Sequence, residues 1–367
     1  MEKKTQQERK RVPAIASDID GVIVRGEVII GNSNNVITKI LTERQSDNGG
    51  EGFTVPFITL TNGGGFIEER KADQMNRILG FKDRELKLQS KHIVQCHTPL
   101  SEQHIVDKYR DKYVLVCGYD EVLSAAISYG YTKAIHVDEL AAVYPRAVPM
   151  DLPILQKDRI ASYILDLETR LGKNIDELKK DLHFSAIFIM HGVIYSDLTI
   201  QIFSDILGGT DGHICGPRRT QGDPQFTDFY MTNPDLVWPY NWPIPRFGPK
   251  TFFIALQAIF KAYYGLDIDY VQYGKPEKPT FDFAETLLQS QAEIQGIEIS
   301  KFYMIGDNPD SDIDGANRRE NWVSILVRTG IFVGDKPNSE KHPAKYVVQD
   351  MEEAVRLIYE LEQLSYE

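Results

Sequence analysis

Four short apolar runs in this chain stop abruptly on polar residues, and that repeated pattern restricts the fold more than any other feature. "AIAS" runs into Asp18 and Asp20, "FITL" into Thr61 and Asn62, "VQYG" into Lys275, and "FYMIG" into Asp307. Runs this short, rich in β-branched and aromatic residues and bounded by turn residues, read as buried strands. Segments of helical spacing lie between them, such as "NVITKILTER" and "FIEERKADQMNRILG", the latter closing on Gly80 as a helix end does. Strand alternating with helix predicts a parallel α/β sheet. In such a sheet ligands bind beyond the carboxyl ends of the strands, where all four polar clusters fall.

At 367 residues the chain exceeds one average domain. The middle repeats the same grammar: "YVLVCG", "YTKAIHV" and "FSAIFIMH" read as strands, and "DEVLSAAISYG", "KDRIASYILDLETRL" and "SDLTIQIFSDILG" as helices. The stretch "WPYNWPIPRFGP" is too dense in proline for a helix or a central strand and reads as the return linker of an inserted domain. The expected division is a disordered tail over 1–12, a core over 13–84 and 240–367, and an inserted α/β domain over 85–239. No internal repeat or low-complexity tract is visible.

A net charge of -12 argues against nucleic acid or an anionic membrane surface as a partner. A small anionic substrate remains compatible where a metal and a few cations dominate locally. Three distant cysteines form no CxxC pair and read as reduced thiols of an intracellular protein. No run is long enough to span a membrane. The start, "MEKKTQQERKRVP", carries no apolar segment and no hydrophobic face, so it reads as a solvated tail rather than a secretory or mitochondrial signal.

Each cluster alone has an ordinary reading. An acidic turn after a strand caps a helix, Asn62-Gly63 is a common turn dipeptide, and a lysine before proline sits at the surface. The "GDNPDSDIDG" segment lacks the glycine and closing glutamate of an EF-hand at the required spacing. Together the clusters make coherent chemistry. Asp18 and Asp307 can hold a hard cation such as Mg²⁺ through oxygen. Thr61, the amides around Asn62 and Gly63, and Lys275 can meet phosphoryl oxygens. Asp18 can then attack phosphorus, and Asp20 can serve as general acid and base.

The ordered set "DIDGV", "TLTNGG", "GKP" and "GDNPDSDI" resembles the haloacid dehalogenase-like hydrolases, class IIA. "TNGGGF", "QCHTPL" and "RFGPKTF" are similar to the eukaryotic branch related to the cat-eye-syndrome critical region protein. The resemblance implies a Rossmannoid core with an inserted C2-type α/β cap and an Mg²⁺-dependent phosphatase acting on a small phosphorylated metabolite. It assigns Asp18 as nucleophile, Asp20 as acid/base and metal ligand, Thr61 and Lys275 as phosphate ligands, and Asp307 and Asp312 as metal residues. Asn233 and Asp235 of "TNPD" fall where class IIA chains place hinge or substrate-facing residues. A polar insertion over 208–225 departs from the class and leaves the substrate open.

A receiver domain would spread its acids differently and lack Asp307, and a dehalogenase would not need Asp20. A phosphomutase shares these residues. A binding or regulatory protein with a vestigial site is the alternative from another class. Homo-oligomers are compatible with the sequence. The cytoplasm is the expected compartment, with mitochondria the alternative that the branch implies.

Overall fold

A computed structural model describes residues 9–45, 52–82, 84–149, 157–238, 242 and 244–366. In chain order the strands are β1 (Arg11–Ser17), β2 (Val24–Arg25), β3 (Val28–Ile29), β4 (Phe57–Leu60), β5 (Ile93–Val94), β6 (Tyr113–Cys117), β7 (Lys133–His136), β8 (Phe184–Ile189), β9 (Asp228–Met231), β10 (Val237–Trp238), β11 (Arg246–Phe247), β12 (Val271–Gln272), β13 (Glu298–Gly306), β14 (Trp322–Val327) and β15 (Tyr346–Val348). Two parallel sheets organise them. One has the order β15-β14-β13-β1-β4-β5 and the other β12-β9-β8-β6-β7.

The first sheet is the core. Strand β1 is buried from Val12 to Ser17 and pairs with β13 on one side and β4 on the other. Its two faces feed two apolar clusters. Ile15 packs with Phe57, Ile305 and Ile358, while Ala14 and Ala16 pack with Ile58, Met304 and Leu288. A strand covered on both faces needs apolar residues throughout, which is why "VPAIA" shows no alternation. The central position of β1 also sets the site. Asp18 follows β1, Thr61 follows β4 and Asp307 follows β13, so three neighbouring strands deliver their next residues to one edge.

The second sheet forms its own α/β unit around Leu115, Ile187, Phe203 and Phe229. Its limits differ from those expected. Strand β5 pairs with β4, so the core continues to Val94 rather than ending at 84. At the other end, helix Lys250–Tyr264 buries Phe252, Phe253, Leu256 and Phe260 against the second unit, and β12 pairs with β9. The chain therefore returns to the core after β12, not at 240. The Pro-rich segment is not where the chain returns to the core: β10 and β11 at its two ends pair antiparallel, and its residues 239–241 and 243 lie outside the described residues. Proline density did not reveal the segment's topological role.

The expected tail over 1–12 is also too long. Arg11 and Val12 already belong to β1, and Val12 is fully buried; residues 1–8 lie outside the described residues. The Gly-rich loop "SDNGGEG" falls largely outside them as well, at 46–51.

Candidate active site

The site is built from strand ends. The Asp18 amide donates to Ile305 O, which prolongs the β1–β13 ladder by one residue and holds the carboxylate at the edge. Asp18 Oδ1 accepts from the Ile19 amide at 2.8 Å and lies 2.9 Å from Lys275 Nζ. The Lys275 side chain has no solvent exposure, and its Nζ also lies 2.7 Å from Asp312 Oδ1. Burial alone would push the lysine down, but the Asp18 and Asp312 carboxylates override it and hold the ammonium charged.

Asp307 is buried beside this pair, with Oδ2 accepting from the Ile331 amide at 2.6 Å. Oxygens of Asp18, Asp307 and Asp312 all lie within 4.8 Å of one another. Among the described residues, the cation touching this trio is Lys275, one ammonium against three carboxylates. The imbalance shows in the acids. Burial, then the charges of Asp18 and Asp312, push Asp307 well above the usual carboxylate range, and burial raises Asp312 as well. An all-oxygen cluster short of positive charge suits a hard divalent cation such as Mg²⁺. Asp312 is the least available of the three, because its oxygens already face Lys275 and the Asn308 amide. That places it as the residue that orients Lys275 and the Asn308 turn.

Asp20 projects into the cleft. Its carboxyl is open to solvent, yet the surrounding cleft walls and then the neighbouring Asp18 charge raise it, which favours a carboxyl able to hold a proton. Thr61 is buried, and its Oγ1 accepts from the Gly63 amide at 2.9 Å. These two expected phosphate donors thus bond to one another in this structure.

Lys275 reaches the site by a route the sequence pattern misrepresents. The strand before it, β12, belongs to the second sheet, so Lys275 does not follow a core strand. Asn62 brings it across. The Lys275 amide donates to Asn62 Oδ1 at 2.7 Å, and Asn62 Nδ2 donates to Lys275 O at 2.9 Å. Asn62 Nδ2 also donates to Asp235 Oδ1 at 3.0 Å, and Asn233 Nδ2 donates to Asn62 O at 2.6 Å. Asn233 and Asp235 line the cavity. Asn233 and Asp235 Oδ1 are engaged in this staple, however, which ties the Thr61 turn to the lysine loop.

Two glycines were missed. A Cβ on Gly330 would fall 1.8 Å from Asp307 Oδ2, and one on Gly21, at φ +86°, would fall 2.5 Å from it. Both leave room for the Asp307 carboxylate. The available signal was a glycine shortly after an apolar run, "WVSILVRTG", but nothing local names the aspartate it faces. Gly330→Ala is expected to displace Asp307 and lower kcat/KM by about 10²-fold, with weakened metal activation. Steady-state kinetics across a Mg²⁺ titration checks this; wild-type metal response would show the cradle to be dispensable.

Models of two related groups match the chain: a haloacid dehalogenase-like hydrolase model over residues 15–132 and a second, HAD-hydrolase-like model over residues 272–354. Together they span more than half of it and contain Asp18, Thr61, Lys275 and Asp307. The chain belongs to the haloacid dehalogenase-like hydrolases. A cardiolipin synthase (CMP-forming) / mitochondrial hydrolase fusion protein of Schizosaccharomyces pombe is 33% identical over 342 residues, covering 92% of this chain and 51% of that protein. The chain thus spans about half the length of that relative. A mitochondrial hydrolase of Saccharomyces cerevisiae is 26% identical, covering 93% of this chain and 94% of the relative. Among solved structures, a glycerol phosphate phosphatase of Mycobacterium tuberculosis in complex with calcium shares the fold, with a TM-score of 0.53, 14% identity and coverage of 92% and 73% of the two chains. It is also known in complex with magnesium.

Proposed function

We propose that this protein is a Mg²⁺-dependent phosphatase that hydrolyses a small phosphoester through an aspartyl-phosphate intermediate. The observation that carries the reading is the placement of Asp18 against the buried Lys275 ammonium at the floor of a cavity of about 560 Å³, with Asp20 lining the same cavity. Asp18, whose Oδ1 accepts from the Ile19 amide and lies against Lys275, attacks phosphorus through one carboxylate oxygen and keeps the other for the cation. As the new P–O bond forms, the bond to the leaving oxygen breaks and Asp20 donates its proton there. Water then attacks the phosphoryl group, Asp20 takes a proton from it, and the bond to Asp18 breaks to release phosphate. Thr61 and Lys275 offer donors to the phosphoryl oxygens. Asp18 and Asp307 would hold the cation, with Asp312 beside them; when bound it supplies positive charge to the phosphoryl oxygens.

Release of p-nitrophenol from p-nitrophenyl phosphate with Mg²⁺ tests the reading. Excess chelator is expected to abolish turnover, and Ca²⁺ to inhibit it, because the larger ion recruits more oxygens and competes for the one on Asp18 that must stay free. Undiminished rates in chelator would contradict the metal assignment, and a folded chain inert toward every phosphoester would favour a binding role instead.

Asp20 has a separate signature. Asp20→Asn is expected to lower kcat/KM for an alkyl phosphate by about 10²-fold or more, within the range of general acid catalysis. The loss for p-nitrophenyl phosphate should be far smaller, since its phenolate leaves without a proton. Equal losses on both substrates would remove Asp20 from the acid role.

The names of the two fungal relatives support a mitochondrial setting over the cytoplasm, and the fusion partner of one supports asking about lipid phosphates. Among the described residues no helix is long and apolar enough to cross a membrane.

A further inference from the structure

Residues 95–100, "QCHTPL", follow β5 and are bonded to the glycine turn after β4. The Cys96 amide donates to Gly63 O at 3.2 Å, Gln95 Nε2 to Phe66 O at 2.7 Å, and the Gly65 amide to His97 Nε2 at 3.1 Å. Gln95, Cys96 and His97 have no solvent exposure. The turn needs such a hold. Glycine loses more conformational freedom on folding than any other residue, and three stand in a row here, with Gly65 at φ +97°. A Cβ on Gly64 would fall 2.9 Å from both Cys96 Sγ and His97 Cδ2. Gly63, two residues before the pinned Gly65, is the residue whose amide engages Thr61 Oγ1.

His97 is the centre of a relay with one direction. An amide can only donate, so His97 Nε2 carries no proton, and the neutral ring holds its proton on Nδ1. Burial keeps the imidazole neutral, pushing it down to about 3. Nδ1 lies 2.9 Å from the Tyr129 hydroxyl oxygen, to which it donates. The Tyr129 hydroxyl donates in turn to Glu68 Oε1, which also accepts from Thr98 Oγ1 at 2.6 Å. Tyr129 ends helix Val122–Ser128 of the second unit, and the Glu121 amide at the other end of that helix donates to Gly65 O at 2.6 Å. Both polar backbone atoms of Gly65 are therefore held, the oxygen directly by the second unit and the amide through His97. None of Glu68, His97 and Tyr129 lines the cavity.

Resting on the phosphatase reading, we infer that His97 is a positioning residue: through the Tyr129–His97–Gly65 relay it holds the 61–65 turn in the geometry that receives the phosphoryl group, and so makes the second unit part of the phosphate site. It acts without touching substrate. With no acceptor in the place of Nε2, the Gly65 amide becomes a buried donor left unpaired, and the turn shifts to find it a partner.

The test compares three variants. His97→Phe keeps a ring but has no acceptor, His97→Gln has a side-chain oxygen that can take the same amide, and Tyr129→Phe breaks the relay one residue farther out. His97→Phe is expected to lower kcat/KM for p-nitrophenyl phosphate about ten- to a hundredfold and to raise Ki for inorganic phosphate by a similar factor, the scale of one buried donor left unpaired. His97→Gln should recover most of both, and Tyr129→Phe should move both in the same direction by less. A smaller folded fraction would lower kcat alone. An unchanged Ki in folded His97→Phe overturns the inference and leaves the phosphatase reading intact. Should no ester be hydrolysed, calorimetric titration of inorganic phosphate with Mg²⁺ onto the same proteins decides it: weaker binding to His97→Phe, recovered in His97→Gln, supports it, and equal affinities or no binding to wild type overturn it. Imidazole nitrogen NMR of the wild type needs no variant. A His97 ring protonated at Nδ1 and unchanged over about pH 5 to 8, where an ordinary histidine titrates, is expected; a proton on Nε2, or titration in that range, overturns the inference.

Discussion

Replacing Asp18 with asparagine is expected to lower kcat by about 10⁴-fold or more, the scale seen when a nucleophile is removed, while the folded structure survives. The amide keeps the shape of the carboxylate but cannot displace an alkoxide at phosphorus. Stability should hold because Lys275 keeps Asp312 at 2.7 Å and the trio loses one of its mutually repelling charges. Thermal melts and single-turnover rates check both halves. Full turnover in a folded Asp18→Asn protein would remove Asp18 from the nucleophile's place.

Lys275→Met has the second largest expected effect, and it acts on stability as well as rate. The lysine is wholly buried between two carboxylates, so its loss leaves buried negative charge without its partner. Breaking a buried pair in this way costs about 3–5 kcal/mol. The deficit should depend on pH, with a sign fixed by the acids. Burial already raises Asp307 and Asp312, and removing the ammonium raises them further. A carboxylate whose folded value is raised contributes stability below that value and loses it as pH rises through it. The variant should therefore recover as pH falls from neutral toward the carboxylate range, whereas wild type, with Lys275 charged throughout, changes less. Mg²⁺ should recover part of the loss at neutral pH. Urea denaturation at several pH values, with and without Mg²⁺, reads both effects; a deficit independent of pH would mean that lost packing, not charge, sets the cost.

What could be read from the sequence was whatever depends on one strand and the residue after it. Asp18, Thr61 and Asp307 each follow an apolar run, and a parallel sheet sends such residues to one edge. Lys275 follows an apolar run too, yet β12 sits in the other sheet. Its arrival at the floor depends on the Asn62 side chain, whose partners Asp235 and Lys275 are 173 and 213 positions away. The same holds for Gly330, whose missing Cβ matters only because Asp307 lies against it. The second unit's limits were misplaced because proline density shows where regular structure fails, not which sheet the chain joins next. Phe252, Phe253, Leu256 and Phe260 have ordinary helical spacing, and nothing local says that they cover the second sheet rather than the core.

Acid quenching during turnover of p-nitrophenyl phosphate, followed by mass spectrometry of the peptides, tests the aspartyl-phosphate proposal most directly. The expected result is one phosphoryl group on the peptide carrying Asp18, labile to hydroxylamine and absent from Asp18→Asn. Turnover with no phosphorylated peptide, or with the phosphoryl group on any other residue, would contradict it.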